Sequence, residues 1–324
     1  SLAAWGWHFY VTALRLVPAK GGSYTEGLIG CPKYINPILS QTADIDNDLS
    51  ALIFSGLVKY DSEQKIITDL AEKYEISPDQ KTYTFTLKNN LTWQDEEALT
   101  VDDVIFTINS IKNRDFNSPL FASLSGVNVE KLDEKTVKFS LAEPYSPFLT
   151  LLNFGILPKH LWEDVEPANA GLADYNLTSP IGSGSLMAKS YSRDKSGKLK
   201  SYTLVRNNKY YANKSYLDKI SFTFFDSKEG AFNALKNKEI DGLSYLSAEQ
   251  KNQLSAKESL NFYEMKIPQY TALFINQKNE LLKAKALRQA LAYGLNRQKL
   301  IEQTLAGDAK IINGPILPGF AGYK

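Results

Sequence analysis

A change of hydrophobic period within residues 81–112 constrains this chain more than any other feature. Up to Leu87, apolar and polar residues alternate, with Tyr83 and Phe85 on the apolar side. This is the pattern of a half-buried strand. From Val101 onward, apolar residues recur every three or four positions, as one face of a helix requires. The stretch therefore predicts a strand and then, after a polar turn, a helix over residues 101–112.

The start of this helix carries a capping signal. Thr100 and Asp103 have the spacing of a capping box, and Asp102 adds negative charge at the positive end of the helix dipole. The turn before it holds one large aromatic residue, Trp93. We expect Trp93 to pack inside the protein rather than to serve as a platform for a ligand.

The composition excludes several classes of protein. The chain has 324 residues, with 37 Lys and Arg against 36 Asp and Glu, so no charge excess favours binding to nucleic acid. Cys31 is the single cysteine, which excludes an internal disulfide. With only two histidines beside it, a Cys/His zinc cluster is excluded as well. We expect neither a metal nor a cofactor.

Residues 61–149 have the signals of a small α+β subdomain. Two hairpins flank the predicted helix, and that order is typical of such a unit. The hairpins join residues 74–76 to 82–87, and residues 127–131 to 136–141. Length allows two or three domains in the whole chain.

The turn and helix start also carry a recognisable order of residues. Residues 93–95 read Trp-Gln-Asp and residues 99–104 read Leu-Thr-Val-Asp-Asp-Val. This resembles the W-x-D-G and L-T-A-x-D-V signature of the extracellular solute-binding proteins of the oligopeptide, dipeptide and nickel transport family. Glu96 replaces the family's Gly, at a position where Gly would tolerate a positive φ that Glu resists.

Further segments resemble the same family, in the same order along the chain. His160, the last residue of one of these segments, is interpreted as a structural residue at the end of a strand. The segments are residues 30–37 (G-x-P-x-x-I-N-P), 56–61 (G-L-V-x-x-D), 157–160 (L-P-K-H), 180–185 (P-I-G-S-G-S), 206–211 (R-N-x-x-Y-Y) and 287–297 (L-R-x-A-L through G-L-N-R).

The resemblance implies an α/β fold of the bilobal, type II periplasmic-binding-protein kind, with an extra α+β subdomain. Family members continue past the point that corresponds to Lys324, so we expect a C-terminally incomplete chain with a truncated second lobe. The implied parts are an N-terminal arm or membrane-anchor remnant (1–20), a discontinuous lobe I (21–60 and 150–269), the subdomain inserted in lobe I (61–149) and the beginning of lobe II (270–324).

Two amphipathic helices are predicted near the end of the chain. Leu287 and Leu291 lie on one apolar stripe, and Asn296 caps a second helix that ends before Gly307. The resemblance places a strand at residues 270–276, where the chain crosses between lobes. Because few residues follow the two helices, we expect their apolar stripes to be largely exposed.

The family implies a binding protein rather than an enzyme. It would be the substrate-binding component of an ABC importer that acts as a monomer, captures peptides or a related small solute, and delivers them to a membrane permease. A catalytic Ser/His/Asp triad would have to use His160 or His8, and no motif supports one. Two alternatives stay open: a non-transport surface sensor or adhesin on the same fold, and a peptidase.

The family also implies which residues face the ligand. In its members the backbone after the N-P of the first loop runs along the cleft, and an exposed strand edge there can pair with an extended peptide. The implied ligand-binding residues are Ser40, Gln41, Thr42, Ala43, Arg114, Phe116, Asn153, Phe154 and Gly155.

The N-terminal residues bear on location. Residues 2–14 are apolar and aromatic but too short to span a bilayer alone. We interpret them as the end of an anchor helix, with a packed or disordered arm as the alternative. An extracytoplasmic location is expected, in the periplasm or on the outer face of the cell membrane.

Overall fold

A computed structural model describes residues 19–254, 260–264 and 269–317. The chain divides into two compact units, Ser1–Ser244 and Tyr245–Lys324. The predicted lobe boundaries stay a prediction. Residues 1–18, which hold most of the predicted arm, lie outside the described residues. Within the described ranges no helix combines the length and apolarity needed to cross a bilayer.

The regular elements alternate along the chain. The strands are β1 (Ser23–Ile29), β2 (Val58–Tyr60), β3 (Ile66–Thr68), β4 (Ala71–Ile76), β5 (Thr82–Leu87), β6 (Asn128–Lys131), β7 (Thr136–Ser140), β8 (Leu186–Arg193), β9 (Leu199–Arg206), β10 (Lys219–Phe225) and β11 (Gly242–Leu243). The α-helices are α1 (Asp44–Ile53), α2 (Val101–Lys112), α3 (Phe121–Leu124), α4 (Phe148–Leu151), α5 (Lys159–Trp162), α6 (Lys228–Lys236), α7 (Ala248–Leu254), α8 (Lys285–Gly294) and α9 (Arg297–Leu305).

A five-stranded sheet in the order β11-β1-β10-β9-β8 frames the first unit. β1 runs parallel to both β10 and β11, whereas β9 and β8 add on as an antiparallel hairpin. Helix α6 connects β10 to β11, and the Ser227 hydroxyl caps it by accepting a hydrogen bond from the Gly230 N–H at 3.1 Å. The sequence predicts a parallel crossover here, with a strand at 217–225, a helix from Ser227 to Asn237 and a second strand that begins at 239–241. The strand, helix and strand are present, with β11 starting at Gly242.

The subdomain has the predicted hairpin, helix and hairpin. Its strands form an antiparallel sheet in the order β4-β5-β7-β6, and α2 packs against β6 and β7. Phe85 and Phe139 are fully buried, with their rings edge to face at 5.6 Å. Trp93 is 1% exposed, so it packs in the interior as expected. Aromatic pairs of this geometry add to the stabilisation from burial alone.

Helix α2 begins and ends where the sequence predicts. The Thr100 hydroxyl accepts a hydrogen bond from the Asp102 N–H at 3.2 Å, and the Asp103 carboxylate accepts one from the Thr100 N–H at 2.8 Å. Glu96, in the preceding turn, does adopt a positive φ of 79°. This left-handed conformation, which Gly would adopt freely, costs Glu96 backbone strain.

Two predictions about local structure are wrong. The sequence of residues 46–56 predicts a helix with Gly56 as its C-cap. Helix α1 instead covers Asp44–Ile53, and Phe54 is already extended, so Gly56 is not the cap. His160 lies in the short helix α5 and not at the end of a strand. Its Nε2 lies 2.9 Å from an Asp95 carboxylate oxygen, so the two motifs that carry these residues are joined in space.

A buried polar cluster ties the Arg206–Tyr211 motif to the small sheet β2-β3. The Tyr211 hydroxyl donates to the Asp69 carboxylate at 2.8 Å, and the Lys59 ammonium lies 2.7 Å from the same oxygen. Burial, followed by the nearby Asp69 charge, raises the pKa of Tyr211 far above its usual range. We call Lys59, Asp69 and Tyr211 the buried polar cluster because they meet at the buried Asp69 carboxylate; the Lys59 side chain itself is 40% exposed.

The second unit is built differently. Helices α8 and α9 form as predicted, and the Asn296 side chain caps α9 by accepting from the Lys299 N–H at 2.9 Å. Neither helix has a buried residue, and Phe274 is 91% exposed, so the predicted exposed apolar surface is present among the described residues. The predicted strand at 270–276 is wrong, because these residues have irregular backbone and no described strand pairs with them.

Candidate functional site

The first loop, residues 30–43, is held at its start by one buried carboxylate. Asp46 in the first turn of α1 accepts hydrogen bonds from the backbone N–H groups of Lys33 at 2.7 Å and Tyr34 at 3.1 Å. Asp46 is 2% exposed. Burial raises the pKa of the Asp46 carboxyl, while the two N–H donors act in the opposite direction. This contact fixes the path of the loop before Pro37.

A second clamp holds the same loop from a distant part of the chain. The buried Asn36 amide donates to the Asn176 side chain at 2.9 Å and accepts from the Ile38 N–H at 3.0 Å. Asn176 also accepts a hydrogen bond from the Ile35 N–H with its backbone carbonyl. Every polar group of the Asn36 side chain is thus engaged in shaping the loop.

Residues 40–43 do not form the exposed strand edge that the sequence predicts. Ser40–Thr42 make one turn of 3₁₀-helix, in which the Ala43 N–H donates to the Ser40 carbonyl at 3.3 Å; just before it, the Ser40 N–H donates to the Asn36 carbonyl at 2.9 Å. Ser40 is buried, whereas Gln41, Thr42 and Ala43 are exposed. The strand conformation is a wrong prediction; contact of these four residues with a ligand stays a prediction.

The predicted residues after α2 lie close to this loop. Arg114–Phe116 form another 3₁₀ turn, with the Arg114 guanidinium 5.0 Å from the centre of the Phe121 ring. Phe116 is 6% exposed, so it packs in the interior. The link to the first loop comes from Ser118, whose hydroxyl donates to the Ile38 carbonyl at 2.6 Å.

The return segment, residues 153–155, packs against the first loop from the other side. A Cβ on Gly155 would lie 2.4 Å from the Phe54 Cβ and 3.2 Å from the Pro37 Cβ, so only Gly allows this approach. Phe154 is 6% exposed and Asn153 is exposed. The structure therefore brings the three predicted segments together, with Gln41, Thr42, Ala43, Arg114 and Asn153 exposed at the surface.

Three residues that position the site were missed in the sequence. Asp46 and Ser118 have no motif that marks them, and Asn176 lies 140 residues from its partner Asn36. Only the polar residue type itself, at a buried position, could have pointed to them. Among the described residues, no group of three or more His, Cys, Asp or Glu side chains is placed to hold a metal ion.

Comparison with known proteins places this geometry in context. Residues 65–324 match the family described as "Bacterial extracellular solute-binding proteins, family 5 Middle". The chain is 28% identical over 309 residues to the oligopeptide-binding protein AppA of Bacillus subtilis, covering 93% of this chain and 55% of AppA. It is 25% identical to the dipeptide-binding protein of Escherichia coli K12, covering 91% of this chain and 58% of that protein.

Solved structures of related proteins also match this chain. The structure of Campylobacter jejuni NikZ in complex with Ni(L-His) matches with a TM-score of 0.77 and 29% identity, over 91% of this chain and 57% of NikZ. That of Bacillus subtilis AppA in complex with a nonapeptide matches with a TM-score of 0.75 and 27% identity, over 93% of this chain and 59% of AppA. The chain thus spans little more than half the length of these relatives. It belongs to the family 5 bacterial extracellular solute-binding proteins.

Proposed function

We propose that this chain is part of the substrate-binding component of an ABC importer that captures peptides or a related small solute. The names of its relatives support a binding role: one is an oligopeptide-binding protein, another a dipeptide-binding protein, and NikZ holds a nickel–histidine complex. The chemistry common to these ligands is a small polar solute that carries amino-acid groups.

The convergence of three segments carries the proposal. The first loop, the turn at Arg114–Phe116 and the return segment are joined by the Ser118–Ile38 hydrogen bond and by the packing of Gly155 on Pro37. The Asp46 and Asn176 clamps hold the loop rigid before any ligand arrives, which lowers the ordering cost of binding. We assign Ser40 to Ala43, Arg114, Phe116 and 153–155 to the wall that faces the ligand.

The same proposal includes a location and a partner. The protein would act outside the cytoplasm as a monomer and would pass its ligand to a membrane permease. Closure around the ligand would be a hinge motion of the kind that periplasmic binding proteins use. The N-terminal residues would contribute an anchor.

The experiment measures ligand capture by the complete gene product that carries this sequence. Native mass spectrometry after incubation with a defined pool of peptides should show one or more peptides bound and unaltered in mass. An unbound protein would contradict the proposal, and shortened peptides would indicate a peptidase instead.

A pair of variants tests the assigned wall. Thr42→Pro deletes one backbone N–H, whereas Thr42→Ala removes the side chain and keeps that donor. If the backbone of residues 40–43 contacts the ligand, Thr42→Pro should weaken binding at least about fivefold by calorimetry, since a lost hydrogen bond costs about 1 kcal/mol. Thr42→Ala should bind as the parent does. Equal affinities for all three proteins would contradict the assignment but not the capture of peptides.

A further inference from the structure

The hairpin formed by β8 and β9 concentrates positive charge. Residues 189–200 hold five basic residues and one acidic residue, although the whole chain is nearly neutral. The preceding stretch, residues 161–188, contains four acidic residues and no basic residue. Charge of one sign is therefore gathered on this hairpin rather than spread along the chain.

The hairpin presents this charge to solvent. β8 is the edge strand of the main sheet, and its last five residues, 189–193, are exposed. Two irregularities in the β8–β9 pairing leave Lys189 and Lys200 without a cross-strand partner. An extra residue of this kind bends the strand and re-aims its side chain. We call residues 189–200 the basic hairpin.

An aromatic side chain lies among these cations. Tyr191 is 40% exposed and stacks on the buried Tyr202 with ring centres 6.3 Å apart and an interplanar angle of 13°. The Arg193 guanidinium lies 5.4 Å from the centre of the Tyr191 ring. An exposed tyrosine beside Arg and Lys is the combination found where proteins meet the headgroup region of a membrane.

Hydrogen bonds within the turn of the hairpin engage its single acidic residue, Asp194. The Asp194 carboxylate accepts hydrogen bonds from the N–H groups of Ser196 at 2.9 Å and Lys198 at 3.1 Å. Lys198 itself pairs with Asp226. In the described part of the chain, Lys189, Lys195 and Lys200 form no ion pair with a carboxylate within 4.0 Å. The charges of Lys189 and Lys195 are available to an outside partner, whereas the Lys200 charge also interacts with those of Asp194 and Asp226.

We propose that the basic hairpin docks on the anionic phospholipid surface of the membrane and orients the protein there. Each Lys or Arg near such a surface strengthens binding about fivefold, and several together act across the Debye length. The inference goes beyond solute capture and does not depend on it. Edge protection is the competing explanation, since lysines and bulges also keep edge strands from pairing with other chains.

The test uses the full chain and vesicles of phosphatidylcholine with and without phosphatidylglycerol, read by co-sedimentation. The parent protein should bind vesicles with phosphatidylglycerol, and added salt should weaken that binding. A variant neutralising four hairpin cations should lose at least about twentyfold in partitioning. A control variant removes the same number of charges from exposed lysines elsewhere and should bind as the parent does. The hairpin changes are Lys189→Gln, Arg193→Gln, Lys195→Gln and Lys200→Gln; the control changes are Lys65→Gln, Lys73→Gln, Lys135→Gln and Lys214→Gln, all at exposed positions.

The N-terminal arm is the same in all three proteins, so any insertion of that arm cancels in the comparison. Circular dichroism confirms that each variant folds, and the salt dependence of the parent tests the proposal even if a variant does not fold. Three results would overturn it: no binding by the parent, binding that ignores phosphatidylglycerol and salt, or equal losses in both variants. The last result would leave edge protection as the role of the lysines.

Discussion

Helix α2 in the first unit and helices α8 and α9 in the second are all amphipathic, yet their apolar faces have different surroundings. Val101, Val104, Ile108 and Ile111 of α2 are all buried, whereas α8 and α9 have no buried residue. An apolar stripe therefore specifies a helix without specifying what covers it. A helix contributes to global stability only when other residues cover its apolar stripe.

Two phenylalanines give the largest expected contrast. Phe85 is 0% exposed in the subdomain core, and Phe274 is 91% exposed in the second unit. Phe85→Ala should lower the free energy of unfolding of the first unit by about 3 to 5 kcal/mol, because it leaves a cavity. Phe274→Ala should change the free energy of unfolding by less than about 0.5 kcal/mol. Urea denaturation followed by circular dichroism measures both; similar costs for the two variants would contradict the difference in burial.

Two glycines should respond to the same substitution with opposite signs. A Cβ on Gly182 would lie 2.0 Å from the Ile53 carbonyl oxygen, whereas a Cβ on Gly294 would meet nothing within 4 Å. Gly182→Ala should therefore destabilise the first unit by about 1 to 3 kcal/mol or more. Gly294→Ala should stabilise α8 by less than about 1 kcal/mol, because Ala is the better helix former. Thermal melts and helix content report the two signs, and a harmless Gly182→Ala would contradict the packing.

The buried polar cluster predicts a pH dependence confined to the first unit. The pKa of Tyr211 is raised in the folded state, so folding keeps this group protonated when the unfolded chain, with a tyrosine pKa of about 10, already ionises. Its contribution to stability is complete below pH of about 10 and is lost as the pH rises further, by up to about 1.4 kcal/mol per pH unit. Tyr211→Phe should flatten the fall of the melting temperature above that pH. Parallel curves for parent and variant would contradict the burial of the hydroxyl.

The smallest contrast concerns two helix caps of similar chemistry. Thr100→Ala should lower the free energy of unfolding by about 1 kcal/mol, since α2 is part of the core. Asn296→Ala removes an equivalent cap from α9, but it should only speed amide hydrogen exchange in that helix. Hydrogen exchange by mass spectrometry resolves both effects. A global loss of stability in Asn296→Ala would show that α9 is covered after all.

The elements that the sequence predicts well are those whose signals are local. The bounds of α2 follow from Thr100, Asp103 and the apolar spacing, all within the helix itself. Residues 270–276 have a strand-like composition, but a strand needs a partner for its backbone groups, and composition does not supply one. The same limit explains why the prediction for His160 is wrong, because its contact with Asp95 joins residues 65 positions apart.

The candidate site likewise has features that the sequence predicts and features that it does not. The Pro and Gly residues of the first loop mark it as a shaped segment, and the family motif indicates which residues follow it. The turn at Ser40–Thr42 depends on the backbone hydrogen bond from the Ala43 N–H to the Ser40 carbonyl, which no residue type encodes. The clamp from Asn176 requires the three-dimensional path of the chain, which a single sequence without co-varying partners does not reveal.

The position of β1 in the main sheet has a consequence for how the protein is made. Both neighbours of β1 are distant in sequence, because it pairs with β10 at Lys219–Phe225 and with β11 at Gly242–Leu243. The pairs that place β1 in this sheet therefore cannot form until almost two hundred residues after β1 have been synthesised. Contacts of such sequence separation form slowly. The main sheet is thus completed only after all four strands of the subdomain sheet, β4 to β7, have been synthesised.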